Sequence, residues 1–425
     1  MESLPDLGLR AQSAIGLAAF CAIAWTLSEN RARFPFRLAA LAIGMQIVVA
    51  AGLLYAPGAR DALSFLNVVV AALQTATEAG ASLVFGYLGG GPAPFEVTDE
   101  SALFILAFRG LPILVFFSGL SALLWHLGVL RVAVRGFAIL LERAFNVGGA
   151  VSLAVAANVL LGPTEAPILI RAYLEKLTRS ELFAIMTGGF ATVAGTVMVL
   201  YATLLAPIAP SVLGHIIVAS IISVPAAILM ALIMTPPAVA DEPTPTSAGD
   251  DFKYDGAMDA FMTGVADGLK LYLNVVAALI AFTAFAALVN ILLGGFGDVA
   301  GAPLTLERAL GWVFAPLMWL AGAPWSECFD AGALMGLKTA LNELIAYVAL
   351  AETPAGTFSP RTNLILIYAM CGFANVASLG IVVGGLSVLA PDRRGDVLDL
   401  GPRAVVAGTL ATLMSGAVIG LIWVG

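Results

Sequence analysis

The chain has 425 residues, of which 60% are hydrophobic and only 11% are charged. A water-soluble protein carries about 25% charged residues, so this composition excludes a soluble globular fold and favours an all-α polytopic membrane protein. The formal net charge of -8 argues against nucleic acid as a partner.

Eight apolar segments are long enough to cross a bilayer as helices, which takes roughly 20 residues each. They are residues 11–27, 36–56, 110–130, 181–205, 212–234, 261–293, 364–389 and 404–424. Short loops rich in arginine stay in the cytoplasm, and such loops follow the first and seventh segments. We therefore expect both termini on the periplasmic side of a bacterial inner membrane. Arg361, in a predicted external loop, is an exception.

Interfacial helices are predicted where charged residues interrupt apolar ones, within residues 60–101, 131–143 and 304–320. Residues 235–256 are hydrophilic and proline-rich, and they predict a flexible cytoplasmic linker between two halves. The predicted domains are a scaffold (1–130), a first transport repeat (131–234), the linker (235–260), a further scaffold part (261–322) and a second transport repeat (323–425).

The stretch from Asn158 to Pro167 interrupts an apolar segment with a glycine, two prolines and a carboxylate. Proline cannot donate a helical hydrogen bond, so a helix must break here. Broken backbone is tolerated at membrane depth only where protein covers it or where it lines a watery cavity. Because basic residues flank both ends of 147–174, we predict a re-entrant hairpin in which Glu165 marks an ion or substrate pathway. A structural cap for the broken helix is the simpler alternative.

A similar arrangement recurs in the second half of the chain. The sequence Gly-Phe-Ala-Thr-Val-Ala-Gly at 189–195 matches Gly-Phe-Ala-Asn-Val-Ala-Ser at 372–378. Each copy follows a polar pair that ends in glutamate, Thr164-Glu165 or Asn342-Glu343. Interrupted apolar segments in matching halves indicate a transporter binding site between repeats. The pattern predicts an inverted internal repeat with a second re-entrant hairpin at about 328–350.

Broken helices expose backbone carbonyls that bind cations. Asn158 and Thr192 would add side-chain oxygens to the carbonyls near Leu161 and Val193, which favours a site for sodium. Hydrogen bonding between helices by the two polar side chains is an equally good interpretation.

Asn375 and Ser378 lie three residues apart, so we expect them to share a helix face and to contact one polyhydroxylated ligand. Ser378 is equally typical of small-residue packing. Val197 and Phe373 are interpreted as pocket walls or core residues. The three cysteines lack metal or disulfide spacing, and no G-x-S-x-G or H-E-x-x-H motif occurs, so an enzyme is not predicted.

Several motifs resemble the concentrative nucleoside transporter family. They run in consistent order from about Arg131 to the C-terminus, whereas the N-terminal spans match only in number and placement. The motifs are Gly162-Pro163-Thr164-Glu165-Ala166-Pro167, Met186 to Gly195, Val265 to Asn274, Pro324-Trp325-Ser326-Glu327, Leu341-Asn342-Glu343 and Cys371-Gly372-Phe373-Ala374-Asn375.

The resemblance implies a homotrimer of eight-span protomers that moves nucleosides with sodium by an elevator-like motion. In the family, the first hairpin and its next helix face the nucleobase, and the second hairpin's glutamate and following helix bind the ribose. The implied substrate residues are Gly162, Pro163, Thr164, Glu165, Val197, Glu343, Phe373, Asn375 and Ser378. The implied sodium ligands are Asn158, Leu161, Thr192 and Val193, the leucine and valine through backbone oxygens.

Pro163 departs from the family, which usually has a glutamine at this position that helps to read the base. The change removes a donor and an acceptor, so the base preference is left open. Three alternatives also stay open. They are proton coupling through Glu165 or Glu343, a channel or scaffold protein that accumulates nothing, and a different ribosylated or sugar substrate.

Overall fold

The computed structural model describes residues 4–32, 34–163, 165–209, 211–238, 244, 254–299 and 301–423. Of the described residues, 79% are helical. The α-helices of the first half are α1 Leu4–Thr26, α2 Phe36–Tyr55, α3 Ala59–Phe85, α4 Ile113–His126, α5 Val129–Phe145, α6 Gly149–Asn158, α7 Arg179–Ala191, α8 Gly195–Leu205 and α9 Val212–Met234. Those of the second half are α10 Ala257–Gly294, α11 Leu306–Ala321, α12 Trp325–Ala340, α13 Glu343–Glu352, α14 Pro360–Met370, α15 Val376–Leu389 and α16 Arg394–Ile422.

Shorter elements connect these helices. Four 3-10 segments lie at Gly86–Gly89, Glu100–Leu103, Ala166–Lys176 and Pro391–Arg393, and a π-helical turn lies at Leu106–Gly110. The short strands β1 (Asp298–Val299) and β2 (Ala302–Pro303) pair antiparallel.

Seven helical segments of the described chain are long and apolar enough to cross a membrane. They match seven of the eight predicted spans. The eighth, residues 364–389, is divided into α14 and α15 by the non-helical residues 371–375. The two parts together still cover most of the expected segment, as α7 and α8 together cover the segment at 179–205. The division falls on the repeated sequence motif, and its counterpart in the first half likewise separates α7 from α8.

Helices α9 and α16 form the centre of the molecule, where both are largely buried and both contact α1, α7 and α14. The second feature of the architecture is the pairing of α4 with α10. Gly264 and Gly268 allow close approach, because a Cβ at Gly268 would lie 2.8 Å from the carbonyl oxygen of Leu114. With 38 residues, α10 is about 57 Å long, which exceeds the apolar thickness of a bilayer.

The predicted linker corresponds to the chain between α9 and α10. Most of it lies outside the described residues, but Thr244 is attached to the start of α7. Its backbone nitrogen and its hydroxyl donate to Oε1 and Oε2 of Glu181, both at 2.8 Å. Glu181 also accepts a hydrogen bond from the backbone of Thr178 and so completes a capping box. The linker is therefore held at Thr244 rather than free along its whole length.

Arg361, the exception to the charge pattern, is buried at the start of α14. Its guanidinium donates to the carbonyl oxygen of Gly322 at 3.0 Å and to the hydroxyl of Ser13 at 3.1 Å. It also lies over the ring of Trp423. Because these contacts use the charge inside the protein, Arg361 carries no information about which side of the membrane its loop faces.

Candidate functional site

The first broken segment begins where α6 ends, at Asn158. Gly162 has a φ of 133°, a conformation that glycine adopts readily and other residues rarely do. The carbonyl oxygen of Leu160 accepts a hydrogen bond from the backbone nitrogen of Gly195 at 3.1 Å. A Cβ at Gly195 would lie only 2.9 Å from the same oxygen. The glycine therefore lets this segment pack directly against the start of α8.

The second broken segment separates α12 from α13 at Leu341 and Asn342. Asn342 is the N-cap of α13, and its side chain accepts a hydrogen bond from the backbone of Ile345 at 2.9 Å. Glu343 is consequently the first residue of a helix, where the helix dipole stabilises a negative charge.

Glu343 lies at the centre of a buried polar cluster and is only 6% exposed. Its Oε1 accepts a hydrogen bond from the hydroxyl of Tyr201, and its Oε2 accepts one from Nδ2 of Asn375, both at 2.6 Å. Tyr201 belongs to α8, so this cluster joins the two halves of the chain. The sequence analysis missed Tyr201, which stands in an apolar run without a motif of its own.

Asn375 is the N-cap of α15 rather than a residue inside a helix. Its Oδ1 accepts a hydrogen bond from the backbone nitrogen of Ser378 at 2.7 Å. The structure thus places Glu343, Asn375 and Ser378 together. However, Asn375 and Ser378 do not present two free side chains on one helix face, because the amide of Asn375 is occupied by the cap and by the carboxylate.

The two copies of the repeated motif touch each other. The backbone nitrogen of Phe373 donates to the carbonyl oxygen of Thr192 at 3.3 Å. A Cβ at Gly372 would lie 2.9 Å from the carbonyl oxygen of Phe190, so a larger residue would force the motifs apart. The break between α7 and α8 therefore packs against the break between α14 and α15.

The candidate cation ligands surround the first break. Asn158, Thr192 and Val193 are at most 1% exposed. The amide of Asn158 lies between the oxygen of Gly162 and the nitrogen of Gly189. In one orientation its nitrogen donates to Gly162 at 2.7 Å and its oxygen accepts from Gly189 at 3.2 Å. In the other orientation the oxygen of the amide faces the oxygen of Gly162, an arrangement that a cation between them would stabilise.

Two further hydroxyl contacts define this region. Thr192 donates from Oγ1 to the carbonyl oxygen of Gly188 at 2.9 Å. Ser220 of α9, which the sequence analysis missed, lies with its hydroxyl 3.4 Å from the nitrogen and 3.5 Å from the oxygen of Val193. Leu161 is half-buried after the end of α6. Oxygen atoms from side chains and backbone thus predominate here, and hard cations prefer such ligands.

Glu165 is half-buried just before the 3-10 segment and interacts electrostatically with Asp267 of α10. Among the described residues no hydrogen bond joins it to Glu343. Thr164 lies outside the described residues. Pro163 packs against Gly189, where an added Cβ would lie 3.2 Å from its Cβ. Val197 is buried on α8, as expected for a pocket wall or a core residue.

A separate cavity of 490 Å³ lies near the start of α7, beside residues such as Phe34, Glu181 and Pro236. None of the described candidate residues lines it. The cavity lies next to the contact between Thr244 and Glu181. It is therefore associated with the linker and not with the polar cluster around Glu343.

Comparison with known families identifies matches along most of the chain. Residues 15–88 match the family model for the N-terminus of Na+ dependent nucleoside transporters, residues 107–208 match the nucleoside recognition (Gate) model, and residues 215–420 match the C-terminal model. A nucleoside permease, NupC of Helicobacter pylori, is 34% identical over 96% of this chain and 97% of its own length. This chain belongs to the Na+ dependent nucleoside transporter family.

Other relatives of this transporter cover it equally well. An uncharacterized transporter of Haemophilus influenzae is 38% identical over 96% of this chain and 97% of its own length. The solved structure of CNTnw in an inward-facing substrate-bound state superposes with a TM-score of 0.86 at 36% identity and covers 97% of both chains. The predicted family is thereby confirmed, and the protein is a membrane transporter rather than an enzyme.

Proposed function

We propose that this transporter takes up nucleosides together with sodium ions across the bacterial inner membrane. The buried carboxylate of Glu343 carries the proposal. A carboxylate in a membrane protein is costly unless it is partnered or serves a substrate pathway, and this one accepts hydrogen bonds from Tyr201 and Asn375. The hydroxyls of a ribose can also donate hydrogen bonds to this carboxylate. An uncharged nucleoside can therefore bind at the cluster.

The nucleobase would lie toward the first broken segment. The proposed contacts are Gly162, Pro163, Thr164 and Glu165 of that stretch of sequence, and Val197 would add an apolar wall. Phe373 would approach the sugar side next to Ser378. The hydrogen bond from Phe373 to the carbonyl oxygen of Thr192 supports a sugar site close to the proposed ion site.

Sodium would lie between the first break and the break that follows α7. Asn158 and Thr192 would contribute side-chain oxygens, and Leu161 and Val193 would contribute backbone oxygens. The burial of Asn158 and the two possible orientations of its amide support this assignment. Bound sodium favours the orientation in which the amide oxygen, rather than the nitrogen, faces the ion.

For the architecture we propose eight spans with two re-entrant hairpins, assembled as a homotrimer with both termini in the periplasm. The hairpins and the helices that follow them would form a transport domain that moves like an elevator. Helices α4 and α10 contact each other far more than they contact the remaining helices. This pairing supports a role for the two helices as a stationary scaffold against which the transport domain would move.

Counterflow of labelled uridine in proteoliposomes at fixed pH tests the proposed coupling. Sodium should increase the rate, because sodium and nucleoside favour the same state of the carrier. Proton coupling is the second candidate, since Glu165 and Glu343 are both acidic. A rate that responds to pH and not to sodium would support protons instead, and uptake that never exceeds the external concentration would indicate a channel.

Replacing Pro163 by glutamine is expected to change base preference more than sugar recognition. The glutamine restores one donor and one acceptor at the tip of the first broken segment, whereas the Glu343 cluster is untouched. We expect relative affinities among purine and pyrimidine nucleosides to shift by about tenfold, the value of one good hydrogen bond. A competition panel of nucleosides and ribosylated compounds measures this shift. Equal weakening for every base would contradict it.

A further inference from the structure

Lys338 is fully buried in the last turn of α12, five residues before Glu343. Its ammonium nitrogen finds no hydrogen-bond acceptor among the described residues. An ammonium group without a partner inside a protein costs several kcal/mol. The end of a helix offsets part of this cost, because the dipole there is negative. The remainder requires a charge of opposite sign nearby.

The Glu343 carboxylate supplies that charge, since it interacts electrostatically with Lys338. The other titratable groups around the pair are the thiol of Cys371 and the phenols of Tyr201 and Tyr347. Among the described buried side chains, Arg361 is the other lysine or arginine, and it contacts Gly322 and Ser13 instead. Lys338 is therefore the cation available to balance Glu343.

The hydrogen bonds of Glu343 fit an ionised carboxylate. Each of its two oxygens accepts one bond, and the amide nitrogen of Asn375 can only donate. An ionised carboxylate and an ammonium group together are neutral. A neutral pair can move within the membrane without the electrical work that moving a single charge against the membrane potential requires.

We propose that Lys338 is a positioning residue that acts as the built-in counter-charge of Glu343, holding the carboxylate ionised so that it can accept hydrogen bonds from the substrate. This inference rests on the proposed function, because it assumes that Glu343 binds the hydroxyls of a nucleoside. Without Lys338 the carboxyl group would take up a proton more readily. It would then lose one acceptor and gain a donor that a ribose hydroxyl matches less well.

The test compares uridine binding to the purified full-length transporter, at saturating sodium and from about pH 6 to about pH 9, by calorimetry. The wild type should bind with nearly constant affinity. Lys338→Gln should bind weakly at low pH and recover as the pH rises, by about tenfold per pH unit while the carboxyl group titrates. Lys338→Arg, which keeps the charge, should return the profile toward the wild type. A constant loss at every pH in Lys338→Gln would overturn the proposal.

A second measurement needs no nucleoside and so separates this inference from the proposed function. Thermal unfolding is compared for the wild type, Lys338→Gln, Glu343→Gln and the double variant. Each single variant leaves one buried charge without its partner, whereas the double variant removes both charges. The unfolding temperature of the double variant should therefore equal or exceed that of the less stable single variant. Additive losses would overturn the pairing. If Lys338→Gln alone is too unstable to purify, recovery of the double variant supports the pairing, and failure of the double variant as well contradicts it.

Discussion

Replacing Glu343 by glutamine is expected to abolish nucleoside uptake. The glutamine keeps one acceptor but turns an NH2 group toward the hydroxyl of Tyr201 or the amide of Asn375, both of which donate to the native carboxylate. A hydrogen bond from a ribose hydroxyl to a charged carboxylate is worth about 1.5–3 kcal/mol, so losing the charge at two such bonds should weaken nucleoside binding by roughly 100-fold or more. Uptake and equilibrium binding of labelled uridine measure the effect.

Glu352 provides the matched control for this change. It lies at the exposed end of the same helix, α13, so Glu352→Gln removes the same charge from the same element without touching the cluster. We expect uptake by this variant to remain within about twofold of the wild type, as for most exposed substitutions. If Glu343→Gln bound uridine normally, the sugar site would have to lie elsewhere.

Replacing Thr192 by valine is expected to raise the sodium concentration required for half-maximal uptake by about tenfold, since one oxygen ligand is lost at a cost of about 1.4 kcal/mol. The maximal rate at saturating sodium should change little, because valine has almost the same shape and the backbone is unaltered. Initial rates of uridine uptake over a series of sodium concentrations, with choline holding the ionic strength constant, give both quantities.

Thr75→Val is the control for the sodium prediction. Thr75 is exposed on α3, and its hydroxyl donates to the carbonyl four residues earlier at 2.9 Å, just as the hydroxyl of Thr192 does. The two variants therefore lose the same local hydrogen bond, and only Thr192→Val is expected to alter the response to sodium. An identical sodium curve for Thr192→Val and the wild type would remove its side chain from the ion site.

The break after Asn158 was predictable because its chemistry is local. Glycine and proline in Gly162-Pro163 indicate a break, whereas the interruptions at Thr192 and Asn375 lie inside segments that were expected to be continuous spans. The family could likewise be inferred from the order of these motifs. The segment expected as one span at 364–389 is divided at the copy of the motif at 372–378, which separates α14 from α15 as its partner separates α7 from α8.

The partners of the buried groups could not be predicted from one sequence. Tyr201 and Glu343 are 142 residues apart, and no local pattern marks a tyrosine that will meet a carboxylate across the fold. Lys338 is different, because a lysine within an otherwise apolar stretch is itself a sequence signal of function. The role of Asn375 as an N-cap depends on where α15 begins, and helix boundaries are the least reliable part of a sequence-based assignment.

The hydrogen bond from Phe373 to the carbonyl of Thr192 has a thermodynamic consequence. It links one residue of the proposed ion site to the segment that ends in Asn375, which in turn holds Glu343. An ion that orders the peptide at Thr192 would therefore also restrict the motion of Phe373 and Asn375 before the nucleoside binds. Nucleoside binding would then cost less conformational entropy at these two residues. Occupancy of the first site would raise affinity at the second without any large displacement, and by reciprocity the nucleoside would retain the ion equally well.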